Sequence, residues 1–292
     1  MTITVDCSDQ EQIELEEYID FCRSQAHLND RDQVLASAFM LRRLANNQTF
    51  LLDFLNARLK NVEQYNVKTD FTPPSFYLFS CNAFSVRAVL WLPCDEPDSE
   101  DAISLGYGVT HNHHFDFLTC GCYGPGYRTI VHLCDKSRMA GLVGESVEAA
   151  FQEDTLLTPG KLMFYRHTED IHVQYPPESL SVSINLIFPS HPDALEQCAF
   201  DPETWVITHH LDPMATTTRL FQIAKLLHNN QTVERLLAIA ERHAHPRVRS
   251  MAYFSLVSIL PQSKAELLKQ AGSDSSSFVK KLFAAASESE QG

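Results

Sequence analysis

No run of roughly 18 apolar residues occurs in the 292-residue sequence, so it holds no helix able to cross a bilayer and predicts no membrane partner. The opening residues MTITVDCSDQEQIELEEY lack both a basic start and an apolar stretch. That pattern is no secretory signal, and the expected place is the cytoplasm. The eight cysteines, Cys7, Cys22, Cys81, Cys94, Cys120, Cys122, Cys134 and Cys198, never form a CxxC pair, which argues against a zinc ribbon or a disulfide framework. Positive charge is scarce. The 23 Lys and Arg against 37 Asp and Glu leave a net charge of −14, a poor match to phosphate backbones, and no nucleic-acid partner is expected. Gly-rich phosphate loops, nucleophile elbows and the dinucleotide fingerprint are also missing.

What remains has the composition of a folded globular chain, 44% hydrophobic and 21% charged. The length allows two domains, or one large domain with an appendage. Charge is unevenly spread: residues 212–292 carry 10 basic and 7 acidic side chains, against 13 and 30 before them. The break suggests a domain boundary there.

Residues 1–70 read as an N-terminal helical extension. Val34, Leu35, Phe39, Met40, Leu41, Leu44, Phe50, Leu51, Phe54 and Leu55 follow helical spacing, and Asn29, Asp30 and Asp32 offer caps. Residues 71–211 read as β. FYLFSCNAFSVRAVLWLPC, broken at Asn82, is followed by SLGYGVTHNHHFDFLTC, YRTIVHLC, VEAAFQED, GKLMFYR, IHVQY and LSVSINLIF, separated by short turns. Many short strands with no helix between them predict an antiparallel sandwich or barrel. Residues 212–286 read as helices near 215–227, 232–243, from 246, 263–270 and 277–286. HPRVRSMA returns loosely as SDSSSFVKKLFAAA, which resembles a short HEAT-like array. Such an array offers a surface for a protein partner. Residues 287–292 read as a disordered tail.

Of the thirteen histidines, six lie between His111 and His172. In Thr110-His111-Asn112-His113-His114-Phe115-Asp116, strand alternation puts His111 and His113 on one face. Two imidazoles so placed can grip one divalent metal and leave positions open for a substrate. His172 is the best third ligand and His167 the reserve. A second register stays open, in which His114 and Asp116 share a face and make a His-x-Asp pair with His172, the facial triad of non-haem iron oxygenases. Asp116 can join His113 only if a bulge re-aims it. His132 reads as an ordinary strand residue, and His209 and His210 as surface or interface residues. Tyr123-Gly124-Pro125-Gly126-Tyr127-Arg128 is a tight turn, with Tyr127 or Arg128 a candidate substrate contact. Asp170 and Gln174 are candidates to hydrogen-bond a ligand imidazole. Cys120 and Cys122 read as packing residues.

HNHHFDFLTCG, the turn TPG and IHVQYPPESLSVSINLIF resemble the two motifs of the cupin superfamily, and are most similar to its thiol dioxygenase branch, of cysteine dioxygenase type. The resemblance covers roughly residues 70–192. It implies an antiparallel jelly-roll barrel flanked by the helical regions, Fe(II) held by His111, His113 and His172, O2 with a small amino-acid-like or thiol substrate, and Arg87 as the residue that holds the substrate carboxylate. Asp116 stands one residue short of the place of the cupin glutamate, and Asn185 and Phe188 lie where that branch carries a tyrosine. Two other functions use the same ligands: a non-catalytic cupin that binds metal or ligand as a sensor or interaction module, and a zinc or manganese hydrolase or isomerase.

Overall fold

A computed structural model of the chain describes residues 3–25, 30–60, 75–95, 100–189, 196–211 and 215–288. They fall into two units, Met1–Cys134 with Glu148–His191, and Asp135–Val147 with Pro192–Gly292. In the first unit the elements are β1 (Ile3–Val5), α1 (Leu15–Ser24), α2 (Arg31–Ala36), α3 (Ala38–Asn46), α4 (Thr49–Lys60), β2 (Ser75–Ser80), β3 (Ser85–Trp91), α5 (Glu100–Ser104), β4 (Phe117–Tyr123), β5 (Arg128–Cys134), β6 (Ala149–Leu156), β7 (Leu162–Tyr165), β8 (Asp170–Tyr175) and β9 (Ser181–Ile187). The strands form a six-stranded sheet in the order β1-β7-β4-β9-β3-β2 and a three-stranded sheet in the order β6-β5-β8. Every strand pair is antiparallel.

Alternation gives the larger sheet two unlike faces. Val86 and Ala88 of β3, Leu118 and Cys120 of β4, and Val182, Ile184 and Leu186 of β9 pack against the N-terminal helices. Those helices answer with Tyr18 and Ile19 of α1 and Leu41 and Leu44 of α3. Leu41 and Leu44 are fully buried, and each such leucine contributes roughly 1.5–3 kcal/mol. Asp30 caps α2, its Oδ1 accepting from the N–H groups of Asp32 and Gln33 at 2.9 and 3.2 Å, as its sequence position leads one to expect. Asn29 and residues 61–70 of the expected helical extension lie outside the described residues.

The opposite face of the six-stranded sheet carries Val89, Trp91, Phe117, Met163 and Tyr165, which cluster with Tyr107, Tyr127 and Val131. Val131 belongs to β5 of the smaller sheet, so this second core lies between the two sheets. The closed barrel expected from the sequence is not formed among the described residues. The sheets remain separate ladders, and His111, which belongs to neither, makes an isolated bridge to His172 of β8. The cause lies in residues 104–116, which are not the continuous strand expected. Gly106 and Gly108 take φ of 85° and 71°, and a chain turned that way cannot run on as a ladder. The short α5 also stands between β3 and β4, where no helix was expected. The overall architecture is mixed β/α, with antiparallel sheets and helical regions at both ends, consistent with a cupin-like fold.

The second unit holds a hairpin of β10 (Cys198–Phe200) and β11 (Ile207–His210), then α6 (Ala215–Leu226), α7 (Asn230–Arg242), α8 (Pro246–Ile259), α9 (Lys264–Gly272) and α10 (Ser277–Glu288). Leu236, Ala240, Val248, Ala252, Leu256, Leu267, Val279 and Phe283 form its core. Pro246 opens α8, where its missing N–H costs nothing. Arg249 reaches Asp274 with Nε and Nη2 at 2.8 and 2.7 Å, a paired geometry that ties α8 to the segment before α10. No helix among the described residues is long and apolar enough to cross a membrane.

Candidate metal centre

His111 and His172 face each other directly. The His111 N–H donates to the His172 carbonyl at 2.9 Å, and the His172 N–H donates back to the His111 carbonyl at 2.8 Å. Residues opposed in this way on neighbouring strands present their side chains to one face, and the two rings lie 4.5 Å apart. His113 arrives by another route. It lies past the bridge residue, and its carbonyl accepts from the Thr168 N–H at 2.7 Å. Thr168 holds the left-handed φ of 64°, a rare state for a β-branched residue, and so fixes the loop that anchors His113. Nε2 of His113 sits 2.9 Å from Nε2 of His172. The three histidines offer ligand atoms that all lie within 4.8 Å of one another.

Burial pushes all three imidazole pKa values below the ordinary histidine value, those of His113 and His172 well below it. His111, His172 and the Arg87 guanidinium push His113 further in the same direction. Near neutral pH the rings are therefore uncharged, each with one nitrogen lone pair, the form that binds metals. Nδ1 of His111 lies 2.8 Å from the Val109 carbonyl. A carbonyl only accepts, so Nδ1 carries the proton and Nε2 keeps the lone pair. Nδ1 of His172 meets the side-chain amide of Gln174 at 3.2 Å, and that amide can present its oxygen or its nitrogen. For the pair His113 and His172 the spacing also fits one ion. Two nitrogens each about 2.0–2.1 Å from one ion and at right angles stand about 2.9 Å apart, which is the His113–His172 separation. Such a site can coordinate a metal ion, and three imidazoles suit several first-row metals.

Among the described residues the cluster comprises His111, His113 and His172; His114 and Asp116 are not part of it. The Asp116 carboxylate instead accepts from the His167 N–H at 2.6 Å, lies 2.7 Å from His167 Nδ1, and accepts from Arg31 Nε at 3.1 Å. The His167 bonds and the Arg31 charge hold its carboxyl well below the usual range against the opposing effect of burial. Arg31 also reaches Glu169 at 3.4 Å, which clamps α2 onto the loop that carries Thr168. Asp170 pairs with Arg166 at 2.6 Å rather than with a ligand imidazole.

Arg87 stands on the face of β3 that carries Val89 and Trp91, opposite Asn185 of β9 and Tyr77 of β2. Burial lowers its pKa, Tyr77 and Tyr127 oppose that, and its buried Nε has no hydrogen-bond partner. Tyr127 is buried against Trp91, ring centroids 3.9 Å apart. Gly124 and Gly126 around that turn take φ of 80° and 89°, as the turn reading requires. Arg128 faces away and pairs with Asp154 at 2.6 Å. Cys120 and Cys122 pack toward the helices, His132 meets Phe151 edge-on, His209 is exposed, and His210 bonds the Gly141 carbonyl at 2.9 Å. Sequence reasoning passed over Thr168, whose backbone state leaves no mark in its neighbours. It also passed over the polar row Ser183 and Thr119 beside Asn185, which the alternation of Ser181, Ser183 and Asn185 with Val182, Ile184 and Leu186 does signal.

No family model matches the chain, and no curated protein does. Solved structures align with parts of it. One of DMSP lyases RdDddP and RnDddQII is 18% identical over 37% of this chain and 39% of that one, TM-score 0.22. A Thermus thermophilus protein is 18% identical over 45% of this chain and 93% of that one, TM-score 0.24. The DMSP lyase DddQ from Ruegeria pomeroyi is 12% identical over 48% of this chain and 59% of that one, TM-score 0.26. The chain thus spans less than two thirds of both lyase structures. Likenesses this partial identify neither a family nor a reaction.

Proposed function

We propose that the protein is a mononuclear non-haem Fe(II) dioxygenase that acts on a small amino-acid-like or thiol substrate with O2. The observation that supports this reading is the cluster of buried His111 and His172 with half-buried His113, whose imidazole pKa values are all lowered. Three protein ligands leave further positions for small molecules, the arrangement of a catalytic rather than a closed structural site. When bound, Fe(II) supplies the redox chemistry that lets O2 react with a closed-shell substrate. The chain's own residues orient and enclose. Val109 and Gln174 fix the imidazoles of His111 and His172. Phe117, stacked on Tyr165 at 4.7 Å, walls the His113 side and keeps water out. Arg87 supplies fixed positive charge for a substrate carboxylate, and Tyr127 flanks it. Oxygen consumption by anaerobically purified, iron-loaded protein against a panel of amino acids and small thiols tests the reading. Uptake that depends on both iron and one of these substrates supports it; no uptake above the iron-only background with any of them counts against it.

A further inference from the structure

Three interior strands present a row of side chains in register: Arg87 of β3 opposite Asn185 of β9, and Asn185 opposite Thr119 of β4. Asn185 is 4% exposed. Hydrogen bonds along the row engage the oxygen of its amide. The Trp91 indole Nε1 donates to Ser183 Oγ at 3.0 Å, and an indole can only donate. Ser183 Oγ in turn donates to Asn185 Oδ1 at 3.5 Å. Thr119 Oγ1 donates to the same Oδ1 at 2.7 Å. With Oδ1 engaged from two sides, Nδ2 is the end of the Asn185 amide left for a ligand, at the strand position paired with Arg87, whose buried Nε has no hydrogen-bond partner. A buried charged donor without an acceptor is costly unless an anion meets it, and the Asn185 amide is the polar group paired with it in register.

We infer that Asn185 is a specificity-determining residue. Its Nδ2 and the Arg87 guanidinium together hold an oxyanion of the substrate, with Thr119, Ser183 and Trp91 as positioning residues that lock the amide the right way round. The inference rests on the proposed function for the location of the substrate, and it narrows the substrate class to small carboxylates over their neutral analogues. A carboxylate has two oxygens, so it can engage both donors at once, whereas a neutral amide brings one acceptor oxygen and its own donors into a site that already has donors.

Asn185→Asp tests this directly. The variant keeps an acceptor oxygen for Thr119 and Ser183 and exchanges the amide donor for a second acceptor. Binding is measured with the full chain loaded with redox-silent zinc, by calorimetry and by the fluorescence of Trp91 in a Trp205→Phe background. The probes are 3-mercaptopropionate and its neutral amide, 3-mercaptopropionamide. The wild type is expected to prefer the acid, and Asn185→Asp to lose on the order of 30-fold in affinity for the acid, as for a hydrogen bond to a charged group, with the amide changed little. Thr119→Val, which frees the Asn185 amide to turn over, is expected to lower the acid preference part of the way at unchanged thermal stability of the zinc-loaded protein. An acid-to-amide preference that is the same in wild type and Asn185→Asp overturns the inference, as does a wild type with no acid preference or no measurable binding. Because no iron and no turnover are involved, an inactive iron-loaded enzyme with the acid preference intact would sink the dioxygenase reading alone.

Discussion

His113 gives the cluster one ring nitrogen, Nε2, and leaves the other, Nδ1, buried without a partner. His111 and His172 are each tied at Nδ1, to Val109 and Gln174. The three ligands are therefore unequally held, and the tie that can be cut without touching a ligand is Gln174. Gln174→Ala is expected to weaken metal binding by roughly 10–100-fold, the usual cost of losing a group that orients a ligand imidazole. Competition with a coloured chelator measures it, and Gln174→Glu, which restores an acceptor, is expected to recover most of the loss. Arg87 acts on a different species. Arg87→Ala is expected to raise the KM for a carboxylate substrate by roughly 100-fold, the loss of a paired charged contact, while metal per chain stays unchanged. Unaltered kinetics for that variant would remove the carboxylate clamp from the account.

At the scale of elements, β4 with the turn after it and the loop before β7 close on each other at two glycines, Gly121 in the strand and Gly126 in the turn. A Cβ on Gly121 would stand 2.2 Å from the Thr158 carbonyl oxygen, and one on Gly126 would stand 2.5 Å from that of Leu157. Backbone cannot step aside as a side-chain tip can, so Gly121→Ala is expected to cost about 2 kcal/mol in urea unfolding, within the range for overpacked sites. A change under about 0.5 kcal/mol, the scale of an ordinary surface substitution, would show that the contact yields. The same elements mark how far the sequence could be read. Hydrophobic spacing located α6 to α10 closely, because a helix face repeats over three or more turns. Strands β2 to β9 were legible from alternation and from Gly and Pro at their ends, whereas the short hairpin of β10 and β11 was not. The pairing of His111 and His113 was legible, but for a reason that does not operate. Alternation along a strand joined them in the sequence, whereas the fold uses one bridge pair at His111 and the Thr168 loop at His113. Neither that long-range contact nor the employment of Asp116 by Arg31, 85 positions away, leaves a local pattern to read. The short β1 was missed because three residues carry too little periodicity.

For the whole molecule, three histidines with lowered pKa values make the metal-free protein sensitive to acid. In the unfolded chain each titrates near 6.5; in the folded chain each is depressed, those of His113 and His172 well below that value. Between the two values the unfolded chain binds more protons, so stability is present above the unfolded value and is lost as pH falls through it. Lowering pH from 7.5 to 5.5 is expected to remove about 1 kcal/mol for each of His113 and His172, by the usual energy of one pH unit per proton, with His111 adding in the same direction, read from urea midpoints. Asp116, whose pKa is also depressed, adds its loss only below about pH 4. Saturating metal should blunt the loss above pH 6, since it binds the folded, unprotonated rings. Iron held by His111, His113 and His172 is the central claim. Elemental analysis of anaerobically purified protein, wild type beside His111→Ala, His113→Ala and His172→Ala, measures this most directly. The expected result is close to one metal per chain, mainly iron, in the wild type, and loss of it in every variant with the fold retained by circular dichroism. No stoichiometric metal in the wild type, or undiminished metal in the variants, would contradict the account.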